Sequence, residues 1–233
     1  MNTEEIYQKL YQNYEQGQKL GIDYPTEALV IFISNLRKNK KNYFDDYNNE
    51  KSIKKNFKGN ALEIGFGSVA NLKMIQEKGF SCYGTEVSQE AIKRAKKFTK
   101  NIKFKKLKNS KLNYPKNNFD LVVGLQCIYY NLNIKKFLEE EVFRVLKPGG
   151  KFIFSFFSKE HSYQKYIEKD HKGISFFSKK HPNKRLVGAK LYLPKNKKEL
   201  LDKFKIFKKV RLFTTKSDQT MFNECWWYVV GEK

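Results

Sequence analysis

The sequence predicts an α/β fold in which helices cover both faces of a mostly parallel sheet. Three observations predict it. Asn60-Ala-Leu-Glu-Ile-Gly-Phe-Gly-Ser-Val-Ala-Asn71 reads as a short buried strand running into a glycine turn and then a helix. Downstream, apolar runs alternate with stretches of helical periodicity, which is the pattern of strand-helix-strand units. The chain then ends on two strand-like runs with no helix between them, and strands joined by a short loop pair antiparallel.

Taken in order, residues 3–20 predict a helix with Ile6, Leu10 and Tyr14 on its apolar side. Tyr24-Pro25 introduces a second helix, Pro25 taking an early position and Leu29, Ile31, Phe32 and Leu36 supplying buried contacts. From Arg37 to Lys58 the composition turns polar and rich in Asn and Lys, so residues 1–58 divide into a helical lid and a tether, and 59–233 form the main domain. Strands are expected over 60–65, 80–86, 101–106, 119–124 and 151–157, with helices over 70–78, 88–100 and 133–146. Ser88 is a helix N-cap ahead of Ala91, Ile92 and Ala95 at helical spacing. Pro148 ends the last helix, and Gly149 and Gly150 turn the chain into the fifth strand. The closing pair falls over 204–215 and 223–231. Between them and the fifth strand, 158–195 is aromatic and basic without clean periodicity, and it holds His161, His171 and His181. It is longer than a connector needs, and long loops of this kind are usually functional, so it reads as a substrate cap.

At 233 residues and 40% hydrophobic the chain is large enough for a sizeable core without staples. No apolar run approaches the roughly 20 residues of a membrane span, and the acidic, polar start is unlike a secretory leader. Cys82, Cys127 and Cys225 are too scattered for a metal knuckle and too odd in number for a disulfide framework, so no metal is expected and a reducing, cytoplasmic setting is. The net charge of +23 is the compositional extreme. It makes a nucleic-acid partner conceivable. Yet of the 47 basic residues only Arg37, Arg94, Arg144, Arg185 and Arg211 are arginine, whereas phosphate and base recognition favours the Arg fork.

The chemistry starts from Gly65 and Gly67, which lack the Cβ that would keep a ligand away from the backbone of a sharp strand-to-helix turn. Glu86 ends the next apolar run at roughly the twenty-residue spacing of a carboxylate that grips ribose hydroxyls. Both point to an adenosine-containing ligand. With Leu62-Glu-Ile-Gly-Phe-Gly67, Tyr83-Gly-Thr-Glu-Val-Ser88 and Leu146-Lys-Pro-Gly-Gly150 in this order, the chain resembles the class I S-adenosylmethionine-dependent methyltransferases, most of all those acting on small molecules. The resemblance covers about residues 59–157. It implies a Rossmann-like seven-stranded sheet with an antiparallel last strand, and S-adenosylmethionine as cofactor. It also implies that Glu63, Gly65 and Gly67 hold the methionine end, Glu86 the ribose hydroxyls and Asn109 or Ser110 the adenine. Gln126, just after the fourth strand, would face the methyl group.

Two residues depart from the family pattern: Val69 stands where a third glycine is common, and Lys108 where an aspartate usually receives the adenine amino group, which lysine cannot do. They motivate a non-catalytic cofactor-binding module as one alternative. A nucleic-acid methyltransferase is another, although Gly124-Leu-Gln-Cys-Ile128 has neither the Asn-Pro-Pro-aromatic nor the Pro-Cys motif of base-modifying enzymes. A nicotinamide dehydrogenase is disfavoured, because the Tyr-x-x-x-Lys at Tyr47 and Lys51 lies upstream of the glycine turn. For a small-molecule acceptor, Tyr14, Tyr24, Tyr129 and Tyr130 are candidate walls, each a flat apolar body with one polar tip. His161 is the candidate general base and acceptor contact. A basic cap, with Lys165, suggests an acidic or phosphorylated acceptor.

Overall fold

The computed structural model describes residues 24–36, 57–217 and 224–233, so the expected helix over 3–20, with Tyr14, and nearly all of the tether lie outside the described residues. Strands β1 (Asn60–Ile64), β2 (Ser81–Glu86), β3 (Lys103–Lys106), β4 (Phe119–Gly124) and β5 (Leu146–Phe157) are separated by helices except between β3 and β4, which a loop joins, and β9 (Lys208–Ser217) and β10 (Glu224–Glu232) close the chain. Together they form one seven-stranded sheet in the order β3-β2-β1-β4-β5-β10-β9. The first five strands run parallel, while β10 pairs antiparallel with both β5 and β9. This is the predicted Rossmann-like sheet.

Local chemistry explains the helices. Helix α1 (Glu27–Leu36) buries Ala28, Leu29, Phe32 and Ile33 on one face. Helix α2 (Ala70–Glu77) follows the glycine turn and buries Leu72 and Ile75 completely. Helix α3 (Gln89–Phe98) starts where the Ser88 hydroxyl accepts the Ala91 N–H at 3.2 Å, as its sequence predicts. The run expected over 133–146 is α-helical at Ile134–Phe137 and Phe143–Val145 with a π-helical turn, Leu138–Val142, between them.

Three features differ from expectation. The fifth strand begins at Leu146, because Leu146 already pairs with Phe119 before the Pro-Gly-Gly bulge and pairing resumes at Lys151. The stretch 158–195 is not plain loop: β6 (Ile167–Lys169), β7 (Ser175–Phe177) and β8 (Lys190–Leu191) form a small antiparallel sheet. Strands of two or three residues are too short to show a period of two. Helix α4 (Lys197–Asp202) was also missed, though Asn196-Lys-Lys-Glu199 carries its signal. Asn196 Oδ1 accepts the Glu199 N–H at 2.9 Å, and Glu199 reaches back to the Lys195 N–H at 3.0 Å.

The parallel strands bring Ile64, Glu86 and Gly124 to one end of the sheet, the carboxyl end where ligands of such folds bind. No helix among the described residues is long and apolar enough to cross a membrane.

Candidate active site

A cavity of about 1020 Å³ opens at that end of the sheet, at the top of the roughly 300–1,000 Å³ range of small-molecule sites. Its floor is the turn after β1. Gly65 has φ of 65° and donates its N–H to Thr85 O at 2.7 Å; Gly67 has φ of 50°. A Cβ at residue 65 would fall 2.6 Å from the Cys127 Cβ and 2.8 Å from its Sγ. Any side chain here would therefore displace the neighbouring strand end, and the backbone lies bare towards the cavity.

Beside the turn, Glu63 is 1% exposed. Its Oε1 accepts from Asn71 Nδ2 at 2.7 Å, while Oε2 is buried without a hydrogen-bond partner. Asn71 Oδ1 in turn accepts the Thr26 N–H at 2.8 Å, which ties the start of α1 to the floor. Burial raises the Glu63 carboxyl to about 8, the Asn71 hydrogen bond opposing and the nearby Glu86 adding to the rise. Glu86, also buried, is raised by desolvation, and its Oε1 takes the Val87 N–H at 2.7 Å.

The far side is set by residues in left-handed backbone conformation. Asn109 (φ 50°), Ser110 (φ 55°) and Gln126 (φ 55°) all line the cavity, and non-glycine residues held at positive φ cluster at functional sites. Gln126 is anchored by its N–H to Ser155 Oγ at 2.7 Å. The loop bearing Asn109 and Ser110 is clamped by Arg144, which donates to Tyr114 O at 2.6 Å and Leu112 O at 2.7 Å and pairs with Glu141 Oε2 at 2.7 Å. Glu141 sits in the π-helical turn, where its Oε2 also accepts the Leu112 N–H at 2.7 Å.

The structure therefore brings Glu63, Gly65, Gly67, Glu86, Asn109, Ser110, Gln126, Tyr24 and Tyr130 around one cavity. It does not bring Tyr129 or His161 into the lining. Tyr129 is buried between Tyr130 and Phe157, with ring centroids 4.6 and 4.5 Å away. His161, 2% exposed, packs behind the wall against Phe157 and Trp226, both at 4.7 Å, and its Nδ1 accepts the Tyr163 N–H at 3.1 Å. Desolvation lowers it to about 4, which makes it a weak base as well as a remote one. Of the two departures, Lys108 is exposed outside the lining, and Val69 is buried at the start of α2 with φ of 62°. Sequence reasoning missed Thr26, Asn71 and Cys127, and also the wall formed by Tyr163, Asn183, Glu224, Trp226 and Tyr228.

Residues 62–154 match the methyltransferase domain family, across the floor and the loop that bears Asn109 and Ser110. Residues 62–154 thus form a methyltransferase domain. Solved structures share the methyltransferase's fold at low identity. An S-adenosylmethionine-dependent methyltransferase from Mesorhizobium loti superposes with a TM-score of 0.57 at 15% identity, over 78% of this chain and 95% of the other. A possible histamine N-methyltransferase from Thermotoga maritima gives 0.61 at 15% identity, over 98% and 99%. Phosphoethanolamine N-methyltransferase 2 from Haemonchus contortus, solved with S-adenosyl-L-methionine, gives 0.55 at 18% identity, over 78% of this chain and 50% of the other. No curated protein matches the methyltransferase.

Proposed function

We propose that this methyltransferase transfers the methyl group of S-adenosylmethionine to a small-molecule acceptor, in a domain over 59–233 capped by 158–195. The observation that carries the reading is the buried, unpartnered Oε2 of Glu63 beside a glycine turn that admits no side chain. A carboxylate oxygen in that position needs a cation, and the methionyl ammonium is one. Glu63, Gly65 and Gly67 then hold the methionine end, Glu86 the ribose hydroxyls, Asn109 and Ser110 the adenine, and Gln126 borders the methyl group.

The cofactor when bound supplies an electrophilic methyl carbon and a neutral leaving group. The protein's task is alignment and exclusion of water. Asn71 and the buried strand end fix Glu63; Arg144 fixes the adenine-side loop; Tyr24 stands at the mouth, Tyr130 in the wall. His161 is given no catalytic role, since Trp226 and Tyr163 stand between it and the cavity side of the wall. The basic surface motivates a nucleic-acid acceptor as a second reading, but the cavity itself is not basic: Lys216 is the one cation among the described lining residues. That lining does not favour an acidic or phosphorylated acceptor either.

Calorimetric titration with S-adenosylmethionine, S-adenosylhomocysteine and NADH tests the reading. Micromolar binding of both adenosyl ligands without NADH supports it. Absence of adenosyl binding to a folded protein would remove it.

A further inference from the structure

In a protein of net charge +23, the described lining of this cavity carries four acidic side chains, Glu27, Glu63, Glu86 and Glu224, and one lysine. Two of them are absorbed by the proposed cofactor half. The other two come from other elements. Glu27 lies in the first turn of α1, and Glu224 opens β10. Their charges meet on one group, since both act on the Tyr228 hydroxyl, which burial pushes up to about 12. Neither has an ion-pair partner among the described residues. The lysine of the lining, Lys216, is instead paired with Glu160 at 3.2 Å.

Aromatic rings complete this half. Trp226 donates its Nε1–H to Glu224 Oε2 at 3.2 Å, so the indole and the carboxylate are held together. Tyr163, from the cap, is raised by burial and by Glu224, placing it on the same side. Tyr24, 78% exposed, stands at the mouth. Carboxylates among electron-rich ring faces attract cations and disfavour anions; the ring quadrupole and the formal charges act with the same sign.

We infer that the methyl acceptor is a small amine, bound as its ammonium ion between Glu27 and Glu224 and against the rings of Trp226, Tyr163 and Tyr24. This rests on the methyltransferase reading above. An ammonium has no lone pair, so one proton must leave first; Glu224 accepts it and returns it to solvent. The freed nitrogen lone pair then forms the N–C bond while the C–S bond breaks with its electron pair staying on sulfur. The product nitrogen carries one more methyl group and one positive charge, and one proton has been released.

The test uses the full chain saturated with S-adenosylhomocysteine, titrated with phenethylamine and n-butylamine and with their size-matched anions, 3-phenylpropanoate and butyrate. Calorimetry and tryptophan fluorescence give the affinities. The expected result is that an amine binds at least tenfold tighter than its matched anion. Glu224→Gln and Glu27→Gln each should lower amine affinity about tenfold and leave S-adenosylhomocysteine affinity unchanged. Anions binding as well as amines, no amine binding to the loaded protein, or amine affinity unmoved in both variants would overturn the inference while the methyltransferase reading stands. Failure of S-adenosylhomocysteine itself to bind would bring down both.

Discussion

Glu63 should release a proton when the cofactor binds. In the free protein its carboxyl titrates at about 8, because it is buried and one of its oxygens has no partner. At pH 7 such a group holds roughly nine-tenths of a proton. An ammonium arriving at Oε2 reverses the balance and favours the carboxylate, so binding should expel close to one proton per site. The same shift makes a stability prediction. The native group keeps its proton between its ordinary value of 4.5 and about 8 while the unfolded one loses it, so the native state binds more protons and stability falls as pH rises through that window. The shift corresponds to about 3–5 kcal/mol as an upper bound. Calorimetric titration with S-adenosylhomocysteine at pH 7, in phosphate and in Tris, separates proton release from intrinsic heat, because the two buffers differ in ionisation enthalpy. Glu63→Gln should abolish the buffer dependence, weaken binding by about 10- to 100-fold, and flatten the fall in ligand-free stability between pH 4.5 and 8. Equal heats in the two buffers, or full affinity in the variant, would refute the reasoning that this oxygen awaits a cation.

Three further outcomes are expected. Gly65→Ala should destabilise the fold by about 2–4 kcal/mol, from left-handed strain and the 2.6 Å approach to Cys127. It should abolish cofactor binding, and Gly65→Ala with Cys127→Gly should recover part of the stability in urea denaturation. His161, held neutral with its value lowered from 6.5 to about 4, contributes stability that is full above pH 6.5 and lost as pH falls towards 4. His161→Phe should flatten that acid limb, by about 2–3 kcal/mol, and leave the turnover rate at pH 8 within twofold; a rate collapse would restore His161 to the chemistry. Replacing Lys103 and Lys105 of β3 with Val should produce association visible by light scattering at unchanged secondary structure, and a monodisperse variant would show that these charges do not guard the edge.

What the sequence made legible was whatever depends on one strand and the turn that follows it. Glu63, Gly65, Gly67, Glu86 and Gln126 each stand at or just past the carboxyl end of a parallel strand, and parallel order alone carries such ends to one side. The opposite wall obeys no such rule. Glu27, Tyr163, Glu224 and Trp226 come from the first described helix, the cap and the last strand, where the register of β10 on β5 sets Trp226 opposite Phe157. His161 shows the limit most clearly. It is the histidine nearest the end of β5, yet its ring turns behind Trp226, and adjacent Tyr129 and Tyr130 divide in the same way between core and cavity.

The surplus of lysine is also easier to understand in the folded chain than in the sequence. Among the described strands, β3 and β9 are the two edges of the large sheet. Lys103, Lys105 and Lys106 lie on one, Lys208, Lys209, Arg211 and Lys216 on the other. Lys103 and Lys105 lie over the rings of Tyr83 and Tyr114, at 5.3 and 4.5 Å from their centroids. It is the ammonium groups that sit over these rings, and that of Lys105 also donates to Asn113 O at 2.6 Å. An edge strand offers unpaired N–H and C=O groups to any other chain, and lysine is the residue that blunts it with least disturbance to the strand. Much of the positive charge thus has a structural reason that requires no polyanionic partner. Four of the 24 acidic residues line the cavity against one lysine, and a cationic ligand is the partner we infer from that local reversal of charge.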